Sequence, residues 1–137
     1  MEGRNRLVRP CIAFDLVDAI FTRKKPKWWK FWKGPTYDVI PFGEQCCICL
    51  RDNYNVAILC DCSIEEIEKI RKELMPGSYT YLVPCRNEGE YRLFVDTFCP
   101  MYIFSNLPEK FQCVPLGATP FQDTETLFRM IHDLAGV

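Results

Sequence analysis

The chain has 137 residues, a size at which one compact domain buries most of its apolar surface without obligatory disulfides or metals. Hydrophobic residues make up 48% and aromatic residues 14%, which excludes a disordered chain, because disordered segments lack the apolar material that offsets chain entropy. The net charge of −1 hides a split, with nine Lys and Arg against Glu2, Asp15 and Asp18 in residues 1–33 and eight against fifteen acids in 34–137, so the basic end either meets something anionic or folds back on the acidic body.

The opening MEGRNRLVRP contains no apolar run of signal-peptide length, and the nine cysteines are an odd number. A reducing compartment, cytoplasmic or nuclear, with mostly free thiols is therefore expected. After Pro10, residues 11–21 (CIAFDLVDAIF) are apolar nearly all round, the pattern of a helix buried on most sides. With Asp15 and Asp18 inside it, the run falls far short of the roughly 20 apolar residues that a bilayer span needs. Residues 23–33 (RKKPKWWKFWK) then gather six cations and all three tryptophans, with no acid among them. As a short helix opened by Pro26 and stopped by Gly34-Pro35, this segment sorts Trp28, Trp29, Phe31 and Trp32 to one side and Lys27, Lys30 and Lys33 to the other.

Residues 36–50 (TYDVIPFGEQCCICL) turn to β-type composition, with a break at Pro41 and Gly43 and a strand over 45–50. The turn residues 51–55 (RDNYN) should fold that strand back on VAILC as an antiparallel hairpin. Ser63-Ile64-Glu65-Glu66 reads as a capping box, followed by the helical stripe Ile64, Ile67, Ile70 and Leu74 and the stop signal Pro76-Gly77. Residues 78–85 and 91–97 (YRLFVDT), on either side of RNEGE, suggest a second hairpin, with 101–104 as a further strand. Thr119-Pro120-Phe121-Gln122 is a second capping box before a stripe of Leu127, Phe128, Ile131 and Leu134. The expected architecture is α+β: an antiparallel sheet of about five or six strands with three main helices mostly on one face. It should form one domain over 1–137, with 23–35 as a basic aromatic segment.

The chain has no glycine-rich phosphate loop, no G-x-S-x-G elbow, no H-E-x-x-H and no dinucleotide fingerprint. The expectation is a non-enzymatic interaction domain without a cofactor, of the kind viral genomes use as accessory proteins against host factors. It would dock on an acidic protein partner through Lys25, Lys27, Trp28, Trp29, Lys30, Phe31, Trp32 and Lys33. The same segment also suits an anionic membrane surface or single-stranded nucleic acid, since its cations and indoles serve either. Zinc is the metal to weigh, on Cys46, Cys49, Cys60 and Cys62, although alternation along a strand would scatter those thiols and core packing explains them as well. A cysteine-dependent enzyme pairing the sole histidine, His132, with Cys99 or Cys113 is the remaining alternative.

Overall fold

The computed structural model describes residues 10–17, 20–24, 29, 36–50, 53–73, 81–121 and 123–135. Its centre is a four-stranded sheet, all parallel, of β1 (Cys11–Asp15), β4 (Asn55–Cys60), β5 (Tyr81–Pro84) and β6 (Pro100–Phe104), in the order β5-β4-β1-β6. Between β1 and β4 lies a separate antiparallel pair, β2 (Phe21–Lys24) and β3 (Thr36–Val39), in register from Phe21↔Val39 to Lys24↔Thr36. The helices are α1 (Pro41–Leu50), α2 (Ile64–Glu73), α3 (Glu88–Phe98) and α4 (Thr124–Ala135), with a 3-10 turn at Pro108–Phe111. Among the described residues no helix is long and apolar enough to cross a membrane.

This α/β architecture overturns the expected antiparallel sheet, and the reason lies in two segments. Residues 45–50, read as a strand, belong to α1, where Cys46, Cys47 and Leu50 are buried while Ile48 is exposed. That spacing is helical; a strand would have buried every second residue. Residues 91–97, read as a strand, belong to α3, whose buried Tyr91 and Phe94 stand three apart and whose start is fixed by Asn87. The Asn87 side-chain oxygen accepts the Glu90 N–H at 3.0 Å, an N-cap that outweighs the β-type composition of YRLFVDT. With both presumed hairpin partners helical, the remaining strands are joined by crossovers and pair in parallel.

The run at 11–21 is corrected in the opposite direction, its residues 11–15 forming strand β1 and Phe21 opening β2. All five residues of β1 are buried because a central parallel strand is covered on both faces, which produces the same all-round apolar pattern as a buried helix. Alternation sorts its side chains into two cores. Ile12 and Phe14, with Val56, Ile58 and Phe104, meet Cys46, Leu50, Ile67, Ile70, Leu127 and Ile131 from α1, α2 and α4. Cys11 and Ala13, with Ala57, Leu59 and Ile103, meet Tyr91 and Phe94 of α3, Phe111 at the end of the 3-10 turn and Val114 beyond it.

The two helices expected from capping and periodicity are present. Ser63 Oγ accepts the Glu66 N–H at 3.2 Å ahead of α2, which buries Ile67 and Ile70. Helix α4 buries Leu127 and Ile131, but its cap is Asp123, whose Oδ1 accepts the Thr126 N–H at 2.7 Å. Thr119, expected to cap it, instead bridges Phe104 and donates its N–H to Ile103 at 2.7 Å.

Candidate functional site

From the central strand β1 the chain moves outward through β4 to β5, then returns across the sheet to place β6 on the other side of β1. The strand order thus reverses between β1 and β6. In open parallel sheets, the connections leave in opposite directions at such a point and open a crevice beyond the carboxyl ends of the strands. Asp15 ends β1, Asp61 follows β4, Cys85 follows β5 and Ser105 follows β6, so four chemically active side chains share that edge by topology alone.

Three of them form one connected polar cluster with two cations. Asp15 is 2% exposed and Ser105 fully buried, the only buried polar or charged residues among those described. The Ser105 hydroxyl donates to Asp15 Oδ2 at 2.8 Å and accepts the Leu107 N–H at 3.0 Å, which fixes the loop leaving β6. Lys110, carried back over the edge by the 3-10 turn, donates to both Asp15 oxygens at 3.2 and 3.0 Å. Its ammonium also lies 3.8 Å from Asp61 Oδ2. Arg23 reaches in from β2 and binds both Asp61 oxygens, one at 3.3 Å and the other closer. Arg23, Asp61 and Lys110 keep between a fifth and a third of their side-chain surface, so they form the mouth, with Asp15 at the floor.

The two carboxyls are driven apart in acidity. Burial pushes Asp15 above the ordinary aspartate range, against the charge and hydrogen bond of Lys110 and the Ser105 hydroxyl. Burial also acts on Asp61, but the Arg23 hydrogen bond and charge, with Lys110 beyond, together outweigh it and hold Asp61 below that range. Neighbouring carboxyls with opposed shifts are the arrangement found where one group exchanges protons or bonds while the other remains a fixed charge.

Of the residues singled out from the sequence, Lys25, Lys27, Trp28, Lys30, Phe31, Trp32 and Lys33 lie outside the described residues, as does the short helix expected there. Trp29 is 47% exposed. The chain positions 25–35 connect β2 to β3. Cys46 and Cys49 sit on α1, whereas Cys60 and Cys62 flank Asp61 at the end of β4. Among the described residues no three His, Cys, Asp or Glu side chains are grouped to hold a metal ion. Burial, with added repulsion from Cys49, pushes the Cys46 thiol up to about 12; Cys60 is raised by its hydrogen bond with the Cys62 thiol and by burial, so these thiols are protonated core groups. His132 is exposed on α4 beside Phe128.

Sequence reasoning missed Asp15, Asp61, Ser105, Lys110 and Arg23. The signal was a polar residue closing an apolar run, in CIAFD, VAILCD and YIFS, which becomes a carboxyl-edge pattern only once the runs are known to be parallel strands. No protein-family model matches this chain, and no curated protein matches it.

Proposed function

We propose that the protein is a phosphoryl-transfer enzyme, a hydrolase of small phosphate esters, with Asp15 as the attacking carboxylate. The observation that carries this reading is a buried aspartate at the strand-order reversal, held by a serine hydroxyl and a lysine ammonium. The two donors oppose the effect of burial and lower the proton affinity of Asp15, and a carboxylate stripped of water is prepared as a nucleophile. Lys110 and Arg23 supply cations at the mouth for the equatorial oxygens of a transferring phosphoryl group, and a dianionic ester can replace Asp61 as their counter-charge. The residues after Asp15 are Leu16 and Val17, so the first turn offers no glycine cradle for a dinucleotide.

In the proposed step an Asp15 oxygen bonds to phosphorus as the ester P–O bond breaks. The departing electron pair stays on the alcohol oxygen, which takes a proton. Water then attacks the aspartyl phosphate, restoring Asp15 and releasing inorganic phosphate. A single turnover on p-nitrophenyl phosphate, with and without added magnesium, quenched at successive times and reduced with borohydride, tests the route. The expected result is homoserine at position 15, because borohydride reduces an acyl phosphate to the alcohol and leaves a free carboxylate untouched. Turnover with Asp15 recovered unreduced throughout would remove Asp15 from the nucleophile's role, and no turnover or phosphate binding under any condition would remove the reading itself.

Exposure of Trp29 favours a second reading, the non-enzymatic docking domain, in which the basic aromatic segment meets an acidic protein partner. Its test is the triple substitution Lys27→Glu, Lys30→Glu and Lys33→Glu. Loss of association with an acidic polypeptide, with the thermal transition unchanged, is the expected result; undiminished association rejects it.

A further inference from the structure

We propose that Cys99 and Cys11 form an oxidisable pair at the amino-terminal edge of the sheet, joined as a disulfide by peroxide. Cys11 opens β1, and its register partner on β6 is Pro100, so Cys99 precedes that partner by one residue. Neighbouring strands lie about 4.8 Å apart and a residue advances about 3.3 Å along a strand, so a residue one place before a register partner lies about 5.8 Å away, inside the window of about 4.4–6.8 Å that a disulfide spans. The register also shifts between Cys11 and Ile12, releasing Cys11 from strict strand geometry.

Cys11 lies on the side of the sheet covered by α3, and Cys99 caps that same helix. Cys11 packs in the core with Tyr91 and Phe94, and Cys99 is the residue that ends α3, donating its N–H to Val95 at 2.9 Å. Cys99 has φ 48° and ψ 58° and is the one non-glycine residue with positive φ among those described. Glycine suits that conformation far better, so a thiol-bearing side chain stands where the backbone favours none. Cys99 is exposed and Cys11 buried, which separates their roles: one meets the oxidant and the other resolves the product. Burial, and after it the nearby Cys99, push the Cys11 thiol up to about 12, consistent with two sulfurs sharing one neighbourhood.

The chemistry closes with peroxide as the named oxidant. The Cys99 sulfur attacks one peroxide oxygen, the O–O bond breaks, and a sulfenic acid forms with loss of one water. The Cys11 sulfur then attacks the Cys99 sulfur and expels hydroxide, which takes the Cys11 proton as the second water. Two thiols give up two electrons and peroxide is reduced to two waters. The bond would tie β1 to the segment entering β6, at the sheet edge opposite Asp15, Ser105 and Lys110.

The test treats the folded full-length protein with hydrogen peroxide, then alkylates remaining thiols under denaturing conditions and maps the peptides. The expected result is seven alkylated cysteines of the nine, one cross-linked peptide pair containing Cys11 and Cys99, reversal by dithiothreitol, and a raised thermal midpoint in the oxidised form. Cys99→Ser, an exposed change that leaves the core untouched, should retain eight alkylatable thiols and form no cross-link. The proposal is overturned by nine alkylated thiols after treatment, by a cross-link mapping to Cys60 and Cys62 instead, or by Cys99 recovered as sulfinic acid beside an alkylated Cys11. Phosphate-ester turnover is a separate readout and decides none of these outcomes.

Discussion

Lys110→Met is expected to cost about 3–5 kcal/mol of folding free energy at pH 7, read as a fall in the denaturant midpoint at unchanged slope. Asp15 has 3% of its side-chain surface in contact with solvent, and Lys110 donates to both of its oxygens. Methionine fills the lysine's volume, so the change isolates the charge. Ser105 alone then faces a buried carboxylate, which escapes by taking a proton. Protonation at pH 7, about three units above an ordinary carboxyl pKa of about 3.9, costs about 4 kcal/mol, which caps the loss near the upper figure.

The sign with pH follows from the raised affinity of Asp15 for its proton. A carboxyl whose folded pKa lies above its unfolded value contributes fully below the unfolded pKa, and the contribution is lost as pH rises through the folded one. The Lys110→Met deficit should therefore shrink as pH falls from 7 toward 4, by up to about 1.4 kcal/mol per unit. Asp61 acts in the other sense, since its lowered pKa gives support above the ordinary aspartate range that is lost on acidification. Adding Asp15→Asn to Lys110→Met should recover most of the loss, because the double variant buries no unpaired charge. A deficit independent of pH, or one that Asp15→Asn leaves in place, would show that Lys110 supports the fold through packing alone.

Two of the four described helices could be read from residues, because their signals are local. Ser63 followed by Glu66 and the isoleucines of α2 carry cap and period within a dozen residues, and Leu127 with Ile131 does the same for α4. Strand direction has no local signature. VAILC reads as a strand beside either a parallel or an antiparallel neighbour, and its true neighbour on one side, CIAFD, is distant in sequence and resembles a buried helix. The site was lost with the direction of the strands. Asp15, Asp61 and Ser105 become neighbours only where parallel carboxyl ends converge, and Ser105 contacts Asp15 across 90 residues of sequence separation. The conspicuous feature, six cations and three indoles in succession, is a composition signal, which proximity in sequence makes visible without folding; a polar cluster assembled from β1, β4, β6 and a 3-10 turn is not.

Asp15→Asn is expected to lower kcat for p-nitrophenyl phosphate by at least about 10³-fold while the protein stays folded, a larger loss than any other single change at the edge should give. Losing a nucleophile removes the covalent route entirely, whereas losing a positioning contact leaves it slower. Asparagine keeps the shape of aspartate and its contact to the Ser105 hydroxyl, and Lys110 retains Asp61 at 3.8 Å as a counter-charge, so the cluster need not collapse. Arg23→Gln should divide differently, raising KM by about tenfold with a smaller change in kcat, because Arg23 stands at the mouth and meets the anionic group before the reaction as well as during it. Ser105→Ala should fall between them, since it removes one of two donors that lower the proton affinity of Asp15, and its kcat should recover toward higher pH as the carboxyl becomes harder to deprotonate. If Asp15→Asn retains wild-type kcat with its thermal transition intact, the buried aspartate is structural, and the carboxyl-edge cluster holds the ends of the strands together without performing chemistry.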